Sequence, residues 1–190
     1  MKAPRGALVG GIVVLAAVLG WVLFVGLPRW VTTSRTPAAA PAPVASAAEP
    51  ERKIQARLFY VAEDGHGLTS VEQDVTYGAN PGAQARAILD AQTAPPAAPL
   101  VSAIPPGVKV RAVFVTNGEA YVDMTSELVT AHPGGSLNEQ LTVHTLVAAI
   151  TTNLPAVTRV QILVEGKEVD TLAGHVDLRE PLTPNPEWVR

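Results

Sequence analysis

The side chains of this 190-residue sequence that could carry chemistry are four histidines, at positions 66, 132, 144 and 175, and a scatter of carboxylates. The histidines stand without the short paired spacings that gather ligands around a metal. His144 borders Leu137, Leu141 and Ala148 in a helical pattern and is expected as a partly buried helix residue with one satisfied nitrogen. His66, His132 and His175 each sit beside glycine or in a proline-glycine loop and are expected as solvated loop residues. Asp123 and Glu127 could form a carboxylate pair for acid–base work, but an Asp that closes a strand is expected instead to cap the turn after it. Ser136 has no base to make it a nucleophile. With Glu139 three residues on, it matches the capping box that starts a helix. Cysteine is absent, which removes thiol nucleophiles, thiolate metal sites and disulfides. There is no Gly-rich phosphate loop, no Gly-x-Ser-x-Gly elbow and no His-Glu-x-x-His pair. No cofactor and no metal are expected. One catalytic alternative stays open: an envelope hydrolase or metal-dependent enzyme in which the fold groups His175 and Asp177 with His144 or Asp123.

The elements that would position these residues follow from periodicity. Residues 53–62 and 68–77 alternate as strands around the turn Glu63 to Gly67. Asn80-Pro81 opens a helix, Asn as N-cap and Pro in the first turn, with Ala83, Ala87, Ile88 and Ala91 as its apolar stripe. The proline-rich loop 94–107 offers Leu100, Val101 and Ile104 to the core. Residues 108–116 alternate again, placing Val108, Val110, Ala112 and Phe114 on one face. Asn117-Gly118 then predicts a two-residue hairpin, since both positions accept positive φ, with 119–124 as the return strand. The capped helix spans 137–153, followed by a strand at 158–164, a turn at 165–167, a short return at 168–172 and a surface tail. The expected fold is α+β, two β-β-α units forming one mixed or antiparallel sheet packed against two helices.

Ahead of this domain, Gly6 to Leu27 runs 22 residues without a charge, enough to cross a bilayer as a helix and long for a cleaved signal peptide. Trp21 and Trp30 stand near its distal end. Residues 1–35 carry four basic and no acidic side chains, while all 17 acidic ones lie beyond. The folded part is therefore acidic, which excludes a nucleic-acid binder. The expected organisation is a transmembrane signal anchor at 1–30, an Ala/Pro-rich linker at 31–52, a domain at 53–182 and a tail at 183–190. The bilayer is the expected partner of residues 6–27, with the N-terminus cytoplasmic and the domain outside.

Several segments together resemble the GerMN domain family: the strand RLFYVAEDG, the loop LVSAIPPGVKV, the hairpin VTNGEAYVDMTSEL, the helix region GGSLNEQLTVHTLVAAITTNLPAVTRVQILVEGK and the closing LAGHVDLREPL. The resemblance spans about residues 54–182. It implies signature positions of structural character at Asp123, Glu139, Thr145, Leu146, Gly174, His175, Asp177 and Leu178, with no catalytic residue among them. It further implies a membrane-tethered scaffold or binding module outside the cytoplasm in cell-wall, envelope or sporulation-related assembly, with an envelope protein or peptidoglycan as partner. This sequence departs from the sporulation protein of the family in having a single such domain, and from the family's lipoproteins in having no lipobox cysteine.

Overall fold

The computed structural model describes residues 52–190. The expected span at 6–27 and nearly all of the linker lie outside them. Among the described residues no helix is long and apolar enough to cross a membrane.

The order is β1 (Lys53–Val61), β2 (Leu68–Thr76), α1 (Pro81–Thr93), β3 (Val110–Thr116), β4 (Glu119–Met124), α2 (Glu127–Thr130), α3 (Ser136–Asn153), β5 (Arg159–Val164) and β6 (Lys167–Glu168), with a 3-10 turn at Pro186–Trp188. The fold is α+β, but the strands form two sheets where one was expected. An antiparallel β1–β2 pair stands apart from a four-stranded sheet ordered β3-β4-β5-β6. Among the described residues there are three α-helices, since the turn after β4 winds into the short α2. β4 and β5 run parallel, so the chain between them must cross over, and α2 and α3 make that crossing. β6 is two residues long, shorter than the expected return.

Two local predictions hold in detail. The Asn80 side chain accepts the Ala83 N–H at 2.9 Å and caps α1. Asn117 and Gly118 take φ of 50° and 78°, and the hairpin closes in the Thr116–Glu119 register. Two others are corrected. On α1 the buried face is Gln84, Ala85, Ile88, Leu89 and Gln92, which leaves Ala83 exposed and Ala87 and Ala91 at the margin. In β3 the alternation breaks, because the register shifts between Val110 and Ala112. The extra residue, Arg111, turns the following side chains over. Val113 and Val115 then pack against the core, and Phe114 is 64% exposed. Of the loop residues offered to the core, Ile104 is buried but Val101 stands out in solvent.

One cluster joins the layers, with Leu58, Phe59 and Tyr60 of β1, Ile88 and Leu89 of α1, Val122 and Met124 of β4, Leu146 and Ile150 of α3 and Ile162 of β5. Helix α3 is buried on most of its circumference. Its polar residues Glu139, Thr142 and Thr145 therefore lie inside the protein, where Glu139 and Thr142 find partners as buried polar groups generally do.

Side chains close one edge of the small sheet. Gln92 accepts the Phe59 N–H at 2.8 Å and donates to the Phe59 carbonyl at 2.7 Å. Asn153 repeats this at Arg57, both at 2.8 Å. Val101 accepts the Val61 N–H at 2.9 Å. The ends of α1 and α3 and one loop thus stand where a neighbouring strand would be.

The tail does more than lie on the surface. Leu182 exchanges backbone hydrogen bonds with Val160 of β5 at 2.8 and 2.9 Å. Trp188 stacks on His144 of α3 at 5.4 Å, and Val189 bridges in parallel to Leu68 of β2. The last residues therefore strap the two sheets together.

Candidate functional site

The most concentrated polar arrangement surrounds Glu139. Ser136 does not cap α3. The N-cap is Gly135, with φ 86° and ψ 145° and no side-chain cap, a conformation open to glycine alone. The helix thus begins one residue early, and Ser136 is exposed. Glu139 turns inward, fully buried. One oxygen accepts the N–H groups of Leu172 and Ala173 at 2.8 and 2.9 Å. The other accepts His175 N–H at 2.8 Å and meets His175 Nδ1 at 3.1 Å. Burial alone would raise this carboxyl, but the N–H groups of Ala173, His175, Leu172 and Val176 outweigh it and hold it below the ordinary glutamate range. The loop can wrap an anion because Gly174 sits at φ 93°, with its N–H held by Thr171 Oγ1 at 2.9 Å. Leu178 closes the loop, buried, donating to the Asp170 carbonyl and accepting from Gln161, both at 2.8 Å.

Asp123 is held 43 residues downstream of itself in sequence rather than at the next turn. It accepts the Gly166 N–H at 2.7 Å and an Arg111 guanidinium N–H at 3.0 Å. The tight Glu165-Gly166 turn, with φ of 54° and 75°, is thus fixed by a carboxylate from β4. Glu127 is not paired with it; its carboxylate takes a hydrogen bond from the Thr125 side chain and is lowered for that reason first.

The histidines divide. His144 matches its expectation: Nε2 meets Gln140 Oε1 at 3.1 Å, Nδ1 is buried without a partner, and burial lowers its pKa. His132 is not simply solvated. Its Nδ1 accepts the Gly134 N–H at 3.0 Å and its Nε2 meets Thr142 Oγ1 at 3.2 Å, so it braces the loop against α3 as a neutral ring. Burial likewise lowers its pKa, against the opposing charge of Glu139. His66 is exposed at the β1–β2 turn, hydrogen-bonded to Asp64. His175 is exposed in the loop, but its ring is engaged by Glu139.

The catalytic alternative needs His175 and Asp177 to converge with His144 or Asp123. They do not. Asp177 is taken by Arg179 in a two-point contact at 2.9 and 2.6 Å, which pulls it down to about 2. No hydrogen bond joins it to His175, and His144 and Asp123 have the separate partners given above. Among the described residues no group of three or more His, Cys, Asp or Glu could hold a metal ion. Of the remaining positions expected as a family signature, Thr145 is buried with its hydroxyl unpartnered, and Leu146 is core. The role of Glu139 as a loop anchor was masked by its match to a capping box, and nothing local distinguishes the two.

Grooves among the described residues accompany this framework. One of about 680 Å³ runs among Pro95, Pro96, Pro105 and Pro106, with Arg86, Asp90 and Lys109 as its charged lining. One of about 500 Å³ lies between the end of β2 and α1. A third of about 310 Å³ separates α3 at His144 from the tail at Asn185.

A family model described as Germane, sporulation and spore germination, matches residues 57–170. The fold is similar to that of a protein described as a lipoprotein from Clostridium perfringens, with 20% identity, a TM-score of 0.50 and coverage of 71% of this chain and 91% of that one. It is also similar to the tandem GerMN domains of the sporulation protein GerM from Bacillus subtilis, with 13% identity and a TM-score of 0.54 over 70% of this chain. The match covers 46% of that tandem chain. At these identities the likeness is one of fold. No curated protein matches the chain.

Proposed function

Because the chain belongs to the Germane family, whose description is sporulation and spore germination, we propose that it is a non-catalytic, membrane-tethered module that scaffolds or binds at the cell envelope. One observation carries the reading. The carboxylates and the exposed histidine that chemistry would need are spent on the fold: Asp123 on a turn and an arginine, Glu139 and His175 on one loop, Asp177 on Arg179. The family description names developmental processes and no reaction. The uncharged run at 6–27 supports a bilayer anchor with the N-terminus cytoplasmic, and the fold shared with a lipoprotein from Clostridium perfringens supports an extracytoplasmic setting. The partner in this reading is an envelope protein or peptidoglycan.

The test is co-sedimentation and cross-linking of the full chain with isolated cell envelopes, beside a reporter fused after Arg190. Retention on wall or on a defined envelope protein, with the reporter active only outside the cytoplasm, supports the reading. No retention on either, or a cytoplasmic reporter, overturns it.

A further inference from the structure

The fold closes its sheet edges with some care. The outer edge of β1 is met at Arg57, Phe59 and Val61 by Asn153, Gln92 and Val101. At β3, Arg86 donates to the carbonyls of Val110 and Arg111 at 2.9 and 2.7 Å, and Gly82 approaches the Val113 carbonyl. β5 is flanked by β6 and by Leu182. β2 is different. Residues 57 and 59 of β1 turn their backbone groups away from β2, so their partners Glu72 and Ser70 turn theirs outward on the opposite side, as does Asp74 two residues on. The edge is occupied at its ends, where Leu68 accepts the Arg190 N–H at 2.9 Å and Thr76 accepts from Gln84 at 3.4 Å. Between them, the backbone groups of Ser70, Glu72 and Asp74 have no hydrogen bond from any described residue.

We propose that this stretch of the β2 edge, Ser70 to Asp74, docks an extended segment of a partner protein in which basic residues alternate with small apolar ones. Two features set the pattern. Glu72 and Asp74 stand on one face of β2, both exposed. Glu72 faces only an exposed Arg57 at 3.8 Å, a contact that exchanges at little cost, and Asp74 faces only Gln55. A strand laid beside β2 places alternate side chains against these carboxylates, which favours Lys or Arg there. Its other side chains face the groove of about 500 Å³ between Asp74–Thr76 and α1, where Ala83, Ala87 and Ala91 stand beside Arg86 and Asp90, the last two ion-paired with each other at 3.4 Å. The tail already shows the geometry: Val189 sits beside Leu68 as a parallel neighbour, and its next residue, Arg190, is ion-paired with Asp64. A second copy is a poor occupant, because pairing two β2 edges sets Glu72 and Asp74 against their own kind. The docking mode is strand addition, in which backbone bonds supply affinity and alternate side chains supply choice.

The inference rests on the binding-module reading, and the two fail separately: retention on envelopes that survives loss of this edge sinks only the edge. The probe is an alternating Lys-Val hexapeptide, with a block peptide of three Lys and three Val as its control, added to the full chain in detergent. Hydrogen exchange at the Ser70 and Glu72 amides is expected to slow tenfold or more with the alternating peptide. Glu72→Pro removes an outward N–H while leaving the β1 ladder intact, and is expected to weaken binding tenfold or more at an unchanged melting temperature. Should that variant fold poorly, the Glu72→Lys/Asp74→Lys pair is expected to give the same loss. Equal binding of the block peptide, protection elsewhere, unchanged binding by the variants, or dimerisation through this edge each overturns the proposal.

Discussion

Glu139, in the first turn of α3, holds the backbone N–H of His175, 36 residues further along the chain, at 2.8 Å. With Leu172 and Ala173 on its other oxygen, this carboxylate organises a loop that has no regular structure of its own. A buried charge tolerates burial only when its lone pairs are filled, and here the loop fills them. Glu139→Ala leaves the N–H groups of Leu172, Ala173 and His175 without their acceptor, at a cost of about 1 to 3 kcal/mol for each that stays buried, lowering the melting temperature by about 10 °C or more. Glu139→Gln keeps one acceptor but turns an NH2 toward donors, and falls between. Thermal and urea unfolding of the two variants measure this.

Acid should unfold the domain in two stages. Free histidine and glutamate side chains titrate near 6.5 and 4.5, and the folded values of His132, His144 and Glu139 all lie lower. Where a folded value is depressed, the unfolded chain binds the proton first, so stability is complete above the unfolded value and falls as pH drops toward the folded one. The histidines are expected to act from about pH 6.5 downward and Glu139 from about 4.5. Urea midpoints against pH should show both stages, and His132→Asn/His144→Gln should remove the upper one alone.

Gln92 is a buried amide that completes both backbone groups of Phe59. Gln92→Leu leaves that N–H and carbonyl without partners at similar volume, at a cost of about 1 to 3 kcal/mol for each. Loss of protection at the Phe59 amide in hydrogen exchange, alongside a lowered urea midpoint, is the expected result.

Asp123 and Gly166 act as a unit. Gly166→Ala places a side chain at φ 75°, costing roughly 1 kcal/mol. Asp123→Ala frees the same N–H and leaves Arg111 with Glu165 alone. If the two residues share one role, the double variant loses less than the sum of the singles in a thermodynamic cycle.

Signals confined to a few neighbouring residues were legible. The Asn117-Gly118 hairpin and the Asn80 cap depend only on local φ and a side-chain reach of three residues, and both stand as expected. Longer-range competition decided the rest. Ser136 and Glu139 fit a capping box, but a buried glutamate gains more from four distant N–H groups than from one local one. One bulge residue, Arg111, exchanged the faces of β3, because a period of two carries no memory across an insertion. The separation into two sheets was hidden because it depends on α1 lying beside β3, with Arg86 on the Val110 and Arg111 carbonyls, a contact 24 and 25 residues apart in sequence. The tail's strap depends on Trp188 reaching His144, a contact that no periodicity encodes.

The most direct test of a non-catalytic role compares the parent chain with His175→Gln/Asp177→Asn, which keeps the Glu139 anchor. Both are incubated with isolated envelopes, and the pellet is scored for bound protein and the supernatant for released wall fragments. Equal retention without fragments from either protein is the expected result. Fragments released by the parent and lost in the folded variant would contradict it.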